Sequence, residues 1–98
     1  MKINKEQKYI VRSIEAGVFY GYITEKDGCE VTMKNARCLW YWKGAASLNQ
    51  LAEEGVRYPE DCKFTMPVEE IVITNVCEIL ACSEQAAKCI DGVKVWKI

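Results

Sequence analysis

The sequence contains no histidine, and this absence removes a large part of enzyme chemistry. Without histidine the chain has neither a Ser-His-Asp triad nor a Cys-His pair, and it lacks the commonest general base near neutral pH. The patterns GxxxxGK[ST] and GxGxxG, which bind phosphates and dinucleotides, are also absent. We therefore expect that the protein is not an enzyme, and catalysis by carboxylates alone stays open as an alternative.

The usual spacings of zinc ligands are missing too, because the six cysteines form no CxxC pair and no histidine accompanies them. An even number of cysteines in a short chain is compatible with a disulfide framework. However, half of the residues are hydrophobic, which is more core material than disulfide-dense domains normally have. We expect reduced thiols, most of them buried, and neither a metal nor another cofactor.

The chain also lacks a run of about eighteen consecutive apolar residues, so no membrane span is predicted. Residues 1–8 are polar and lysine-rich and do not have the apolar segment of a secretory signal. Three Trp, five Tyr, two Phe and a formal net charge of -1 argue against disorder. These features predict a cytoplasmic protein with a single domain over residues 1–98.

Short runs of β-branched and aromatic residues predict a protein made mostly of strands. Asp27-Gly28 between two such runs predicts a two-residue type I′ hairpin turn, and Asn35-Ala36 is expected to form a bulge or bend. The predicted strands cover residues 9–14, 18–24, 30–33, 37–42, 68–74, 76–81 and 93–97, and Trp96 is expected to close the core.

Two short helices are expected between these strands. Ser47 and Gln50 have the spacing of a capping box, and Gly55 is a natural stop for the first helix. Ser83 is a candidate cap for a second helix over residues 84–90. Together these elements predict the α+β class, as a small, strongly bent antiparallel sheet or a partly open β-barrel with two short helices.

One segment has functional character. Residues 31–51 contain no acidic side chain, while they include three cations and three consecutive aromatics. In a strand the three aromatics cannot all face one core, so at least one is expected on a surface or in a pocket. The cations are Lys34, Arg37 and Lys43, and the aromatics are Trp40, Tyr41 and Trp42.

The same segment leads through small residues into the first helix, whose free N–H groups and dipole suit an anion. Stacking surfaces and cations beside such a helix start are what a small phosphorylated nucleotide needs. Long nucleic acid is less favoured, because its affinity rests on many basic contacts and the net charge is -1. The candidate ligand-binding residues are Lys34, Arg37, Trp40, Trp42, Lys43, Gly44 and Ser47.

A structural interpretation of these residues stays open. Tryptophan and tyrosine on a strand are often part of a core or of a dimer interface, and Ser47 with Gln50 is explained by helix capping alone. Interfaces are also enriched in Trp, Tyr and Arg. The alternative function is therefore a homo-oligomeric interaction module that binds a host protein.

The segments AGVFYGYI, KNARCLWYWKGAASLNQLAEEGV, CKFTMPV, EIL and VKVWK, in this order, resemble a family of small uncharacterised proteins of tailed bacteriophages and prophages. The stretch from Asn35 to Gly55 is the most specific part. The resemblance implies a bacterial host cytoplasm and an accessory role outside the virion, and it implies no site residue. With the residues above, it predicts a protein that binds and sequesters a nucleotide, such as a host immune signal.

Overall fold

The computed structural model describes residues 1–98, and antiparallel β-strands make up most of it. A 3₁₀ turn covers Pro59–Asp61. The strands are β1 (Lys8–Ser13), β2 (Gly17–Asp27), β3 (Glu30–Tyr41), β4 (Lys63–Phe64), β5 (Val68–Ile73) and β6 (Val76–Ala81), and the helices are α1 (Leu48–Glu54) and α2 (Glu84–Asp91).

All six strands belong to one sheet, in which the order is β4-β3-β2-β1-β6. The first part of β3 pairs with β5, up to Ala36 opposite Val68, and the end of β3 pairs with β4. Only Thr74 and Asn75 separate β5 from β6, although these two strands lie at opposite edges of the sheet. The sheet is therefore strongly bent but not closed, which confirms the predicted α+β class.

The register between β2 and β3 shifts twice, first between Tyr20 and Tyr22 and again between Ile23 and Glu25. Opposite the first shift Asn35 has a φ of 50°, a left-handed conformation that asparagine tolerates better than most residues. Gly21 lies so close to β3 that a Cβ atom would be 2.9 Å from the Cα of Ala36. The bulge predicted at Asn35-Ala36 is confirmed, and β3 runs through it without a break.

The bent sheet carries a hydrophobic core on each face, because successive residues of a strand point to opposite sides. The larger core lies between the sheet and the helices and contains Ile10, Tyr20, Leu39, Leu51, Ala52, Val56, Cys62, Phe64, Cys82, Ala86, Ile90 and Val93. The smaller core lies within the bend and contains Tyr9, Val11, Ile23, Val31, Met33, Ala36 and Ile73.

Both helices begin at the serine caps that the sequence predicts. The Gln50 N–H donates to Ser47 Oγ over 3.1 Å, and the Ala86 N–H donates to Ser83 Oγ over 3.0 Å. The Ser83 N–H also donates to the carbonyl of Ala52, which ties the start of α2 to α1. With seven and eight residues, neither helix has the length to cross a bilayer.

The β2–β3 hairpin forms as predicted, but the predicted turn is wrong by one residue. Asp27 pairs with Glu30, so Gly28 and Cys29 are the two central residues. Only Gly28 has a positive φ, of 60°, which is the pattern of a type II′ turn and not of type I′. The register is set by side chains such as Val31 that must face the smaller core, and the turn residues follow from it.

The predicted closing strand over residues 93–97 is largely wrong. Its only bridge is a single parallel pairing of Phe64 with Val95, and the Trp96 N–H donates to the Phe64 carbonyl. With two residues, β4 is too short to hold a longer partner strand. Trp96 is 44% exposed and does not close the core, a role that Val93 takes instead.

Candidate functional site

The seven residues predicted to bind a ligand do not form one surface. Trp40 and Trp42 line one cleft, Lys34 lines a second and Gly44 lines a third. Arg37 lies inside the fold, with 5% of its surface exposed.

Arg37 binds the protein's own backbone. Its Nε donates to the carbonyl of Thr65, and one terminal nitrogen donates to the Phe64 carbonyl. The other terminal nitrogen donates to the carbonyls of Ile90 and Val93, each over 3.0 Å. Burial lowers the pKa of this guanidinium, although arginine remains charged in proteins. Arg37 thus joins β3, β4 and the end of α2, and its donors are not free for a phosphate.

The start of α1 is closed by its own side chains. Ser47 Oγ accepts the Gln50 N–H, which is the serine half of the predicted capping box. Gln50 Oε1 accepts the N–H of Ala46, over 2.8 Å, and not that of the cap residue Ser47. Gly44, with a φ of 99°, lies so close to Arg57 that a Cβ atom would be 2.5 Å from the Arg57 nitrogen. These residues shape the connection between β3 and α1, and the N–H groups of Ala46 and Gln50 are not free for an anion.

The two predicted surface lysines lie apart from each other. Lys43 Nζ is 3.9 Å from the Asp61 carboxylate and 5.6 Å from the centre of the Tyr58 ring. Lys34 is exposed on β3, in a register position opposite Glu70 of β5. Each lysine therefore has an acidic neighbour, and neither approaches the exposed Trp40.

The most distinctive surface feature is a stack of two tryptophans. The ring centres of Trp40 and Trp96 are 5.3 Å apart and their planes differ by 29°. Lys63 Nζ lies 5.6 Å from the Trp40 ring centre and 5.5 Å from that of Trp96. Trp40 is 62% exposed even in this stack. We call these three residues, Trp40, Lys63 and Trp96, the indole platform.

Three neighbouring chain segments position the platform. β3 contributes Trp40, β4 contributes Lys63 and the C-terminal segment contributes Trp96. In β4 the side chain of Phe64 is fully buried, so the alternation of a strand turns the adjacent Lys63 outward. In β3 the same alternation buries Leu39 and exposes Trp40. The platform therefore follows from strand geometry over a well-packed core.

Two clefts flank the platform. The larger, of about 650 Å³, is lined by Trp96 with Lys94, Lys97 and Glu60, and we call it the lysine cleft. The smaller, of about 330 Å³, is lined by Trp40 and by the apolar residues Ile14, Ala16, Val18, Leu39 and Trp42, and we call it the apolar cleft. Each indole therefore belongs to one cleft only.

The charge beside the platform is mostly positive. The three ion pairs of the structure join Lys8 to Asp91, Arg12 to Glu78 and Lys43 to Asp61, and they leave Lys63, Lys94 and Lys97 without a carboxylate partner. Glu60 is the only acidic residue that lines the lysine cleft. Exposed cation–π contacts contribute about 0.5–1 kcal/mol, so Lys63 remains available to an anion.

Four residues at the platform were not among the predicted site residues, namely Lys63, Lys94, Trp96 and Lys97. Residues 93–97 were predicted to form a closing strand, and Lys63 lies outside the acid-free segment 31–51. One signal was present in residues 93–97, where Val93 and Val95 alternate with Lys94 and Trp96. This alternation predicts that Trp96 shares its face with Lys94, whereas a tryptophan that closed the core would share the face of the valines. The contact with Trp40 has no signal in the sequence, because the two indoles are 56 positions apart.

The six cysteines are free thiols, of which two are buried, two are partly buried and two are exposed. Burial raises the pKa of Cys82 to about 12, and it also raises the pKa values of Cys38 and Cys62. Cys29 and Cys77 are the exposed pair. No three cysteine, aspartate or glutamate side chains are grouped so that they could hold a metal ion.

A family model described as a domain of unknown function, DUF6948, matches residues 6–90. The chain belongs to this family. The matched range includes Trp40 and Lys63, whereas Trp96 and the adjacent Lys94 and Lys97 lie beyond it. No curated protein and no solved structure matches the chain.

Proposed function

We propose that this protein is a non-catalytic binding module that captures a small phosphorylated nucleotide on the indole platform. One arrangement supports the proposal, namely two exposed, stacked indoles beside three lysines that have no carboxylate partner. Stacking of a base on an aromatic side chain contributes about 1–3 kcal/mol. Lysine ammonium groups bind phosphate oxygens through charge-assisted hydrogen bonds.

The size of the charged surface favours a small ligand over a long nucleic acid. The lysines beside the indoles number only three, and the formal net charge of the chain is -1. Long nucleic acids bind through many such contacts, and each contact adds to the salt dependence of binding. The lysine cleft, of about 650 Å³, has the volume of a small-molecule site.

The biological role that we propose is sequestration of a nucleotide signal in the cytoplasm of an infected bacterium. The resemblance to small phage proteins supports this setting, and the chemistry of the platform supports capture without turnover. Indoles and protonated lysines bind a nucleotide but supply no general base near neutral pH. A phage protein that holds an immune messenger unchanged lowers its free concentration and so counters host defence.

A nucleotide that binds the platform is expected to raise the melting temperature by several degrees, because ligands that bind only the folded state stabilise it. Replacing Lys63, Lys94 and Lys97 together by alanine should weaken binding by at least tenfold. The measurement is a thermal-shift screen of mononucleotides and cyclic nucleotides, followed by calorimetric titration and by chromatography of the recovered ligand.

The matched control replaces Lys2, Lys5 and Lys26 by alanine. This control variant has the same net charge as the platform variant. The three lysines that it replaces are exposed on the N-terminal segment and near the β2–β3 turn, away from the platform. Equal losses of affinity in the two triple variants would show that the lysines act only through net charge and would remove the platform from the proposal. A ligand recovered in hydrolysed form would contradict a non-catalytic role.

A second function, as a homo-oligomeric interaction module, is supported by the free edge of β5. This strand pairs only with β3, so its outer edge leaves backbone donors and acceptors without a strand partner. Met66, Val68 and Val72 on and beside it are between 45% and 52% exposed. Free edges with exposed apolar side chains invite pairing with another strand. The same edge would also suit an extended segment of a host protein.

Self-association through β5 predicts a dimer that a single charge disrupts. Replacing Val72 by lysine should convert the dimer to a monomer, since edge lysines oppose strand pairing. Light scattering during size-exclusion chromatography measures the mass, and Lys34→Ala on the neighbouring strand serves as the control. A protein that is monomeric at every concentration and retains no purified host partner would remove this second function.

A further inference from the structure

The stacked indoles form a wall between two separate clefts. Trp96 lines the lysine cleft and not the apolar cleft, whereas Trp40 lines the apolar cleft and not the lysine cleft. Each indole covers one face of the other, and both stay partly exposed in the stack, Trp40 by 62% and Trp96 by 44%. The platform therefore offers two stacking faces that point in opposite directions.

We propose that the ligand is a dinucleotide that straddles this wall, with one base on the free face of Trp40 and the other on that of Trp96. This inference rests on the proposed function and specifies its ligand. The phosphate bridge between the bases would pass Lys63, whose Nζ lies at nearly the same distance from both rings, 5.6 and 5.5 Å. A mononucleotide occupies only one of the two faces.

The separation of the two faces sets the conformation of the ligand. The indole centres are 5.3 Å apart, and each base would lie about 3.5–4 Å from its indole. The bases would thus be roughly 12 Å apart, against about 3.4 Å between neighbours in a stacked strand. The bound dinucleotide therefore has its bases unstacked from each other, with the phosphates exposed between them.

The two clefts differ in a way that fits the two halves of such a ligand. The apolar cleft brings Ile14 and Trp42 beside Trp40, and its one charged lining residue is Glu15, so it suits an uncharged base and not a phosphate. The lysine cleft brings Lys94 and Lys97 beside Trp96, so it suits the base nearer to a further phosphate. Volumes of about 330 and 650 Å³ admit a base on each side.

The test compares three adenine ligands and their guanine counterparts by calorimetric titration on the unaltered chain. The ligands are the nucleoside monophosphate, the linear 5′-phosphorylated dinucleotide and the cyclic dinucleotide. Two linked sites raise the apparent affinity by about 100-fold or more over a single site. We expect this gain for at least one dinucleotide, and the comparison of linear with cyclic forms identifies the linkage.

Single-tryptophan variants test the two faces. Trp40→Ala and Trp96→Ala should each reduce the affinity for the dinucleotide to that of the mononucleotide, while Trp40→Phe and Trp96→Phe, which keep a flat face, should retain most of the gain. Lys26→Ala at the exposed end of β2, a residue that lines neither cleft, is the control. A dinucleotide that binds no more tightly than the monophosphate would overturn this inference and leave nucleotide binding intact. Failure of every nucleotide to bind at millimolar concentration would overturn both.

Discussion

Replacing Arg37 by methionine is expected to lower the free energy of unfolding by about 3–5 kcal/mol. The guanidinium donates to four backbone carbonyls, and hydrogen bonds to a charged group contribute about 1.5–3 kcal/mol each. The full sum is not expected, because burying the guanidinium has a desolvation cost of its own. Methionine fills a similar volume but leaves the carbonyls without a donor. Since small domains are stable by about 5–15 kcal/mol, much of the fold's stability depends on this side chain.

Urea unfolding followed by circular dichroism measures this loss. Arg57→Met is the matched control, because Arg57 is exposed and forms no ion pair, so its stability should change by less than about 0.5 kcal/mol. Arg37→Lys keeps the charge but not the fork of donors, and it should lie between the other two variants. An Arg37→Met protein as stable as Arg57→Met would show that the carbonyls find other partners.

The second large effect is expected at Gly21, where alanine should destabilise the fold by about 3 kcal/mol. A Cβ atom there would lie 2.9 Å from both the Ala36 Cα and the Lys34 carbonyl oxygen. Both are backbone atoms of β3, so relief of the clash requires the strands to separate at the bulge. Overpacking of a core costs about 1–3 kcal/mol, and we expect the upper end because no flexible side chain can yield.

Gly92→Ala is the control for this prediction. The nearest atom to a Cβ at Gly92 is the Lys88 carbonyl oxygen at 3.4 Å, and its φ of -81° is open to any residue. Equilibrium unfolding should therefore change little for Gly92→Ala. If Gly21→Ala unfolds at the same urea concentration as Gly92→Ala, the close approach of β2 and β3 is not needed for the bend.

Arg37 also connects the stability of the fold to the candidate site. Its bond to the Phe64 carbonyl fixes β4 beside Lys63, and its bond to the Val93 carbonyl anchors the chain three residues before Trp96. The Phe64 carbonyl also accepts the Trp96 N–H. Arg37, which the sequence predicts to bind the ligand, is thus buried beneath the platform. It hydrogen-bonds to two of the three segments that form the platform, β4 and the C-terminal segment.

Much of the fold could be predicted from the sequence, because the signals are local. Short runs rich in β-branched and aromatic residues predict β1, β5 and β6, and the spacing of Ser47 with Gln50 predicts the start of α1. The hairpin turn was placed one residue early, because turn composition competes with the burial of Val31 and its neighbours. Turn-forming residues indicate that a turn is present, whereas the burial of side chains on the paired strands determines the register and so the residues at the centre of the turn.

The sequence by itself determined the α+β class, the two serine-capped helices and the exposure of an aromatic from the segment around Trp40. Only the tertiary structure decided that Arg37 is buried among backbone carbonyls and that Trp96 lies on Trp40. The physical reason is distance along the chain. Strand and cap signals act over a few residues, whereas these contacts join residues 27 to 56 positions apart, and the bend of the sheet brings them together.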